Sequence, residues 1–214
     1  DDGMTGENWK VYVGEKAKPV ATVSIAKVEG SYGGGKMAGG FRINGVDIKA
    51  PDVTAKLAHF GVEGFSYVPT VRGMAAAMRA GDVNFKQTDP RTLIPTLGTT
   101  TIRGLEIDAP DPSAPKGIKP ERVSVKLGSF LIGAKDQIKG IPTDISLGID
   151  NLALKLPENS ADDAIKQLKA LGYSAVDMSA KIAAKWNEAK KEVALSEISV
   201  SGKDMGAARI SGVI

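Results

Sequence analysis

One ten-residue pattern of apolar and polar positions occurs three times along the chain. It is INGVDIKAPD at residues 43–52, IRGLEIDAPD at 102–111 and, with more substitutions, IDNLALKLPE at 149–158. In each copy one apolar residue is followed three positions later by a second and two positions after that by a third. These positions are Ile43, Val46 and Ile48, then Ile102, Leu105 and Ile107, then Ile149, Leu152 and Leu154.

The three-residue step within each copy predicts a long, kinked strand. Strict alternation would keep one set of side chains on one face of a sheet. A step of three around Gly45, Gly104 or Asn151 either moves the apolar set to the other face or requires a bulge, which glycine tolerates best. The proline near the end of each copy cannot donate to a ladder, so pairing is expected to stop there.

Alternation and turn residues elsewhere predict nine strands and two helices. The strands are expected near residues 20–29, 41–51, 53–65, 99–111, 121–133, 143–157, 175–186, 193–202 and 205–214. The first helix is expected over 68–81, with Met74, Ala77 and Met78 on one side and Gly81 as its stop. The second helix has Ser160 as predicted N-cap and Gly172 as predicted stop.

This order predicts an α+β protein that is mainly β, with long twisted antiparallel sheets and two short helices. Three strands and a helix occur twice, which suggests a duplicated βββα unit. We expect residues 1–214 to form a single elongated domain. Its pseudo-repeat halves are expected at roughly 20–81 and 97–172, followed by a three-strand meander over 175–214.

Composition excludes several classes of function. The chain has no cysteine, which removes disulfides, thiolate metal sites and thiol nucleophiles. Lys+Arg 28 against Asp+Glu 25 gives a net charge of +3 without a basic run, so nucleic-acid binding is not expected. No stretch approaches the ~20 apolar residues of a membrane helix. The first residues lack the pattern of a signal peptide, so the chain is expected to be a processed or excised part of something longer.

Two features resemble catalytic or ligand sites but lack residues that such sites require. GSYGGGKM at residues 30–37 resembles a phosphate loop, but Met37 stands where Ser or Thr would bind Mg²⁺, and a strand pattern follows. His59 is the single histidine, in a strand pattern without the serine motif of a triad, so a solvent-facing side chain is expected.

The acidic pairs do not predict a metal or glycosidase site. Asp108 and Asp111 could supply two oxygens to a weak surface Ca²⁺, which needs six to eight. Asp162 and Asp163 are accounted for by the start of the second helix. Aromatic residues make up only 5% of the chain, which leaves little to stack a sugar on. We therefore expect that the protein is not an enzyme and that it binds no cofactor.

The apolar residues leave two interpretations open. Val, Ile, Leu, Met and many Ala can form a thin, closely packed core, because small residues let layers approach. They can equally line a cleft for acyl chains, since such sites are concave, mostly apolar and need few polar groups. The candidate ligand-binding face is the apolar side of the predicted strand at 175–186, the first of the last three strands. It consists of Met178, Ala180, Ile182, Ala184 and Trp186.

The last quarter of the chain resembles a largely uncharacterised family of Gram-negative envelope proteins. The resemblance rests on "ALGY", on an alternating strand ending in an aromatic, on a returning strand with two spaced apolar residues, and on two glycines before a serine. The matching positions are Leu171, Gly172, Tyr173, Trp186, Val193, Leu195, Gly202, Gly206 and Ser211. Such β-repeat chains are similar to AsmA-like and TULIP-type envelope proteins, which implies a curved antiparallel sheet around helices, with lipid handling as the associated activity.

Together these observations predict a non-enzymatic periplasmic module of the Gram-negative envelope. It would bind or handle a lipid or another apolar ligand, or organise the envelope with a protein partner. The alternative is a structural or adhesive scaffold that binds proteins through its sheet edges. No nucleic acid and no integral membrane segment are expected in this chain.

The lack of cysteine and the single histidine generate the first prediction. Removing metal ions with EDTA should leave the melting temperature unchanged, because no metal chemistry is expected to support the fold. Differential scanning calorimetry with and without EDTA measures this. A decrease of several degrees would show that the fold contains a metal that the sequence does not indicate.

Overall fold

The computed structural model describes residues 3–15, 17–31 and 39–214. Its strands are β1 (Gly3–Glu15), β2 (Lys18–Ser31), β3 (Gly39–Lys49), β4 (Thr54–Phe65), β5 (Gly98–Pro110), β6 (Arg122–Ile138), β7 (Ile141–Lys155), β8 (Ala175–Asn187), β9 (Glu192–Gly202) and β10 (Gly206–Val213). Its α-helices are α1 (Val68–Arg79) and α2 (Asp163–Ala170), and a 3₁₀ helix covers Pro90–Leu93. The predicted mainly-β α+β class is confirmed.

The ten strands form one antiparallel sheet in chain order, with β1 and β10 at its edges. Nine of them correspond to predicted strands, whereas β1 was not predicted. In β1 only Trp9, Val11 and Val13 alternate as apolar residues. Gly6 and Asn8, which precede them, interrupt the pattern. The strand forms because β2 offers it a complete antiparallel partner, from Gly3 opposite Ser31 to Glu15 opposite Lys18.

The helices connect strands at opposite ends of the sheet. Helix α1 joins β4 to β5 and packs mainly against the 3₁₀ helix, while α2 joins β7 to β8 at the other end. Glycines in the left-handed region follow both helices, Gly81 with φ 81° and Gly172 with φ 90°, as predicted for their stops.

The start of α2 differs from the prediction. Its N-cap is Asp162, whose carboxylate accepts hydrogen bonds from the backbone N–H of Ala164 and Ile165 at 2.9 and 3.1 Å. Ser160 is instead buried before the helix, where its Oγ accepts the N–H of Asp162 at 3.3 Å. A carboxylate next to the positive end of the helix dipole explains why the aspartate is the cap.

The three predicted kinks, at Gly45, Gly104 and Asn151, lie in one row across the sheet together with Asn8, which was not predicted. Asn8, Gly45, Gly104 and Asn151, on alternate strands β1, β3, β5 and β7, all have left-handed backbone with φ between 52° and 65°. The register places Ala26, Ala58 and Gly128 of β2, β4 and β6 opposite them. We call these seven positions the kink row. Only glycine and asparagine occur at its left-handed positions, as the steric cost of this backbone requires.

A shift of register accompanies the kink row at only one pair of the described strands. Between β7 and β8 the pairing moves from Ile149 opposite Ala180 to Leu152 opposite Met178, so β7 has one extra residue there, a β-bulge. Between the other strands the register is the same on both sides of the row. Because neighbouring strands kink at the same row, no extra residue is needed.

The bulge establishes which face the apolar residues occupy. In β8 the pairing with β9 is continuous from Met178 to Ala180, so these two side chains share one face. Their partners Leu152 and Ile149 lie on that face as well, because directly opposed residues point to the same side. The three-residue step therefore returns the apolar set to the same face instead of moving it to the other one.

The sheet is a single layer with very little buried core. Among the described residues the buried apolar side chains are Ala77 and Leu156. The accessible surface is 14148 Å² for a mass of 22.3 kDa. A compact monomer of that mass exposes about 9,400 Å². The apolar positions of the strands are mostly half-buried, so one wide face has no second layer of described residues against it.

The kink row generates the second prediction. Gly45→Val and Gly104→Val should each lower the free energy of unfolding by about 1 to 3 kcal/mol, since a branched residue is strained in left-handed backbone. In addition, a Cβ at either position would lie 2.8 Å from the Cβ of Ala26 or Ala58. Urea unfolding measures the change.

Gly148→Ala in β7 is the matched control, because no atom of the described residues lies within 4 Å of its added Cβ. It should leave the free energy of unfolding almost unchanged. Wild-type stability in both valine variants would show that these glycines occupy ordinary strand geometry.

Candidate apolar binding face

The five predicted site residues lie along β8, on the apolar face of the sheet. Alternation places Met178, Ala180, Ile182, Ala184 and Trp186 on one side of this strand. On β7 their partners are Leu152, Ile149, Leu147 and Ile145, and on β9 they are Val200, Ile198, Leu195 and Val193. The predicted face is thus one section of a larger apolar surface.

Three rows of opposed residues extend this surface across the sheet. The first row crosses β2 to β9 and consists of Val28, Ile43, Phe60, Ile102, Phe130, Ile149, Ala180 and Val200. The second row crosses β3 to β10 and consists of Phe41, Val62, Thr100, Ile132, Leu147, Ile182, Ile198 and Ile210. The third row, beyond the kink row, consists of Trp9, Ile25, Val46, Leu57, Leu105, Leu127, Leu152 and Met178.

Exposure shows that this face is open to solvent along the second row. Ile132, Ile182 and Ile198 are 47%, 43% and 37% exposed. Helix α2, whose Ile165 and Leu168 could have covered Ala180, does not pack along β8 and reaches back to the segment after β7 through Lys169 and the carbonyl oxygen of Glu158. The small side chain of Ala180 is therefore not explained by a helix lying on it.

The opposite face of the sheet is charged. Arg42 donates to Glu63 at 2.6 Å from Nη2, and Lys181 lies 3.0 Å from a carboxylate oxygen of Glu197. The hydrogen bond from Lys181 holds the pKa of Glu197 below its ordinary value, with a smaller contribution from the Ser199 hydroxyl. These residues alternate with the first and second rows, so one face of the sheet is charged and the other is apolar.

A cavity of about 780 Å³ lies on the apolar side where the second row meets α1. Phe41 and Val62 contribute from the sheet, Phe65 and Tyr67 from the segment that enters the helix, and Val71 from the helix itself. Sequence reasoning did not identify this cavity. The signal was the apolar run FSYVPTV before and within α1.

Of the five predicted residues, Met178 lines a cavity, whereas Ala180, Ile182, Ala184 and Trp186, all in the described part of the chain, line neither that cavity nor the one at α1. Met178 lines a smaller cavity of about 290 Å³ together with Val200 and Met205, near the turn between β9 and β10. This cavity and the one at α1 are on the same side of the sheet. Ala180 and Ile182 lie on the open part of the face between them.

The polar residues singled out in the sequence have structural partners. His59 is half-buried on the charged side, with its Nδ1 2.7 Å from Oδ1 of Asn44. Asp108 binds Arg122 through its carboxylate, and the buried carboxylate of Asp111 accepts the N–H of Ser113 at 2.8 Å. Asp163 pairs with Lys166 at 3.0 Å. Residues 32–38 of the glycine-rich loop lie outside the described residues.

The described residues contain neither a cluster of metal ligands nor a helix suited to a membrane. Within residues 3–15, 17–31 and 39–214, no group of three or more histidine or acidic side chains is arranged to hold a metal ion. Neither of the helices in this part of the chain has the length and apolar character needed to cross a bilayer.

Comparison with protein-family models, with curated proteins and with solved structures found no match to this chain. The function proposed below therefore rests on the geometry of the face and of its cavities.

The openness of the face generates the third prediction. Ile182→Ala should lower the free energy of unfolding by less than about 1 kcal/mol, because this half-exposed side chain loses little burial. Leu156→Ala, at a residue only 2% exposed, should cost about 2 to 5 kcal/mol.

Urea unfolding of both variants under identical conditions measures the contrast. Equal losses at the two positions would mean that Ile182 is covered in solution, for example by a second copy. Repeating the measurement at tenfold lower protein concentration would then separate a second copy from a cover within the chain.

Proposed function

We propose that this chain is a non-enzymatic module that binds lipid acyl chains, or ligands of similar apolar character, along the open face of its sheet. The observation that supports this most directly is the continuous apolar surface of the first and second rows, exposed at Ile132, Ile182 and Ile198. An exposed apolar patch of this extent on one side of a domain is typical of a binding surface.

The composition of the face favours an aliphatic ligand. The two rows consist of Val, Ile, Leu and Ala apart from three phenylalanines and Thr100, and they contain no charged side chain. Such a surface offers contact area and few hydrogen-bonding partners, which suits a hydrocarbon chain better than a sugar or a nucleotide.

The dimensions of the face also suit a long chain. The second row crosses from β3 to β10, which is seven intervals between strands. At ~4.8 Å for each interval this row is roughly 34 Å long. A ligand lying along it would contact apolar side chains over its whole length except at Thr100.

The proposed setting is the periplasm of a Gram-negative cell, as part of its envelope. This proposal comes from the resemblance of the last quarter of the chain, at Tyr173, Trp186 and Gly202, to envelope β-repeat proteins. The absence of cysteine is compatible with that compartment and with others.

A second candidate function is a scaffold that binds proteins by strand addition. The observation in its favour is β10, an edge strand in which all eight residues are exposed, Ile210 and Val213 among them. An exposed edge of this kind presents unpaired backbone groups to another strand. Association would then depend on the edges and leave the open face unoccupied.

The fourth prediction separates these functions. In Ala180→Trp the free energy of unfolding should stay within about 1 kcal/mol of wild type, because the larger side chain extends into uncovered space instead of overpacking a filled core. Binding of a fluorescent long-chain fatty acid should be lost, since the indole would occupy the surface between Ile149 and Val200.

Ala183→Trp is the matched control, because Ala183 is on the same strand and faces the charged side, opposite Glu197. It should bind the probe as wild type does. A wild type that binds no probe, together with an Ala180→Trp variant that melts early, would refute the lipid proposal and leave the scaffold function.

A further inference from the structure

We infer that the cavity beside α1 is the binding site for the carboxylate end of a long-chain fatty acid, and that Arg72 is the residue that recognises it. This inference rests on the proposed function and deepens it, since it names the ligand class and the end of the face at which the charged group binds. None of the five predicted residues of β8, all within the described part of the chain, belongs to this cavity.

The cavity has the size and lining of a small-molecule site. Its volume of about 780 Å³ falls within the ~300–1,000 Å³ of typical ligand pockets. Phe65 and Tyr67 form an edge-to-face pair with ring centroids 4.5 Å apart, which fixes the wall where the chain leaves β4. Phe41, on the sheet side, is packed edge-to-face against Phe60 with centroids 6.4 Å apart.

Arg72 is the charged residue among those lining the cavity. Arg42, Arg91, Arg122 and Arg209 have carboxylate partners. Arg79 and Arg103 have none among the described residues, but neither of them lines the cavity. For Arg72 no carboxylate of the described residues lies within ion-pair distance. A guanidinium beside an apolar cavity and without such a partner is suited to bind a carboxylate from a ligand, with two parallel hydrogen bonds.

Two hydroxyl groups also line the cavity near Arg72. The hydroxyls of Ser31 and Ser66 also line the cavity, but each is engaged with backbone: Ser31 Oγ lies 3.5 Å from the carbonyl oxygen of Gly40, and Ser66 Oγ accepts the N–H of Val68 at 3.3 Å. Among the described residues that line the cavity, Arg72 is therefore the group that can bind a carboxylate from the ligand.

The path of the hydrocarbon chain follows from the position of the cavity. Phe41 and Val62 line the cavity and are also the first two members of the second row, which continues through Ile132 to Ile182 on the same face. A fatty acid with its carboxylate at Arg72 can therefore extend its chain along this row, away from α1 and toward β8.

Titration of the full chain with palmitate and with hexadecanol, which has the same chain length without the charge, tests the inference. Arg72→Gln should weaken palmitate binding about tenfold or more, as expected for the loss of a charge-assisted hydrogen bond, and leave hexadecanol binding unchanged. Arg72→Lys should restore part of the palmitate affinity. Arg79→Gln, in the last turn of α1 and outside the cavity, is the matched control and should bind both ligands as wild type does.

Val71→Asp separates the cavity from the rest of the face. Val71 is 61% exposed on α1, so this variant is expected to fold, and a carboxylate beside Arg72 should weaken palmitate binding at least as much as Arg72→Gln does. If both variants bind palmitate as tightly as wild type, the assignment of the cavity is wrong.

The failure of this inference differs from the failure of the proposed function. Wild type that binds hexadecanol and palmitate equally, with no effect of Arg72→Gln, would overturn the carboxylate site and leave an apolar binding face. Wild type that binds neither ligand would overturn both.

Discussion

The structure depends on how the kink row keeps apolar side chains on one face. Apolar residues three positions apart would fall on opposite faces of a regular strand, because side chains alternate. Left-handed backbone at Asn8, Gly45, Gly104 and Asn151, with the extra residue of β7, removes this conflict. The rows on both sides of the kinks then form one surface. Without the kinks, strands such as β3, β5 and β7 would place part of their large apolar residues among the charges of the other face.

A sheet built in this way has one apolar and one charged face, but no second layer among the described residues. Most domains bury their apolar sheet face against helices or another sheet. Here α1 and α2 connect strands at the two ends of the sheet, and the charged face is stabilised by pairs such as Arg42 with Glu63 and Lys181 with Glu197. Stability therefore depends on the backbone ladder and on lateral contacts between opposed side chains. The open face remains available for an aliphatic ligand, which is the basis of the proposed function.

The two ends of the open face are not equivalent. At the α1 end the cavity contains Arg72 and aromatic walls, whereas toward β9 and β10 the face ends in aliphatic side chains and Met205. A ligand with one charged end would bind such a face in one direction only. A protein partner that adds to an edge would pair with the backbone of β1 or β10 and leave the side chains of the face uncovered.

Local sequence determined nine of the ten described strands, three of the kinks and the C-terminal ends of the helices. Alternation from Val176 to Trp186 defined β8 and its apolar side, the repeated three-residue step identified Gly45, Gly104 and Asn151, and Gly81 and Gly172 ended the helices. The alternation, the kinks and the helix stops depend on the backbone preferences of a few neighbouring residues, which the amino-acid sequence shows directly. Even the cap of α2 was placed only two residues away, since serine and aspartate both accept backbone N–H groups.

Only the tertiary structure decided what lies next to each surface. Strand β1 depends on pairing with β2 more than on its own interrupted pattern. The cavity at α1 combines Phe41, Val62 and Val71 from three elements, and Arg72 became notable only once its neighbours were known. The sequence left open whether Ala180 was covered by a helix. A periodic pattern reports which side of a strand is apolar, but what covers that side depends on contacts between residues far apart in the chain, which periodicity does not encode.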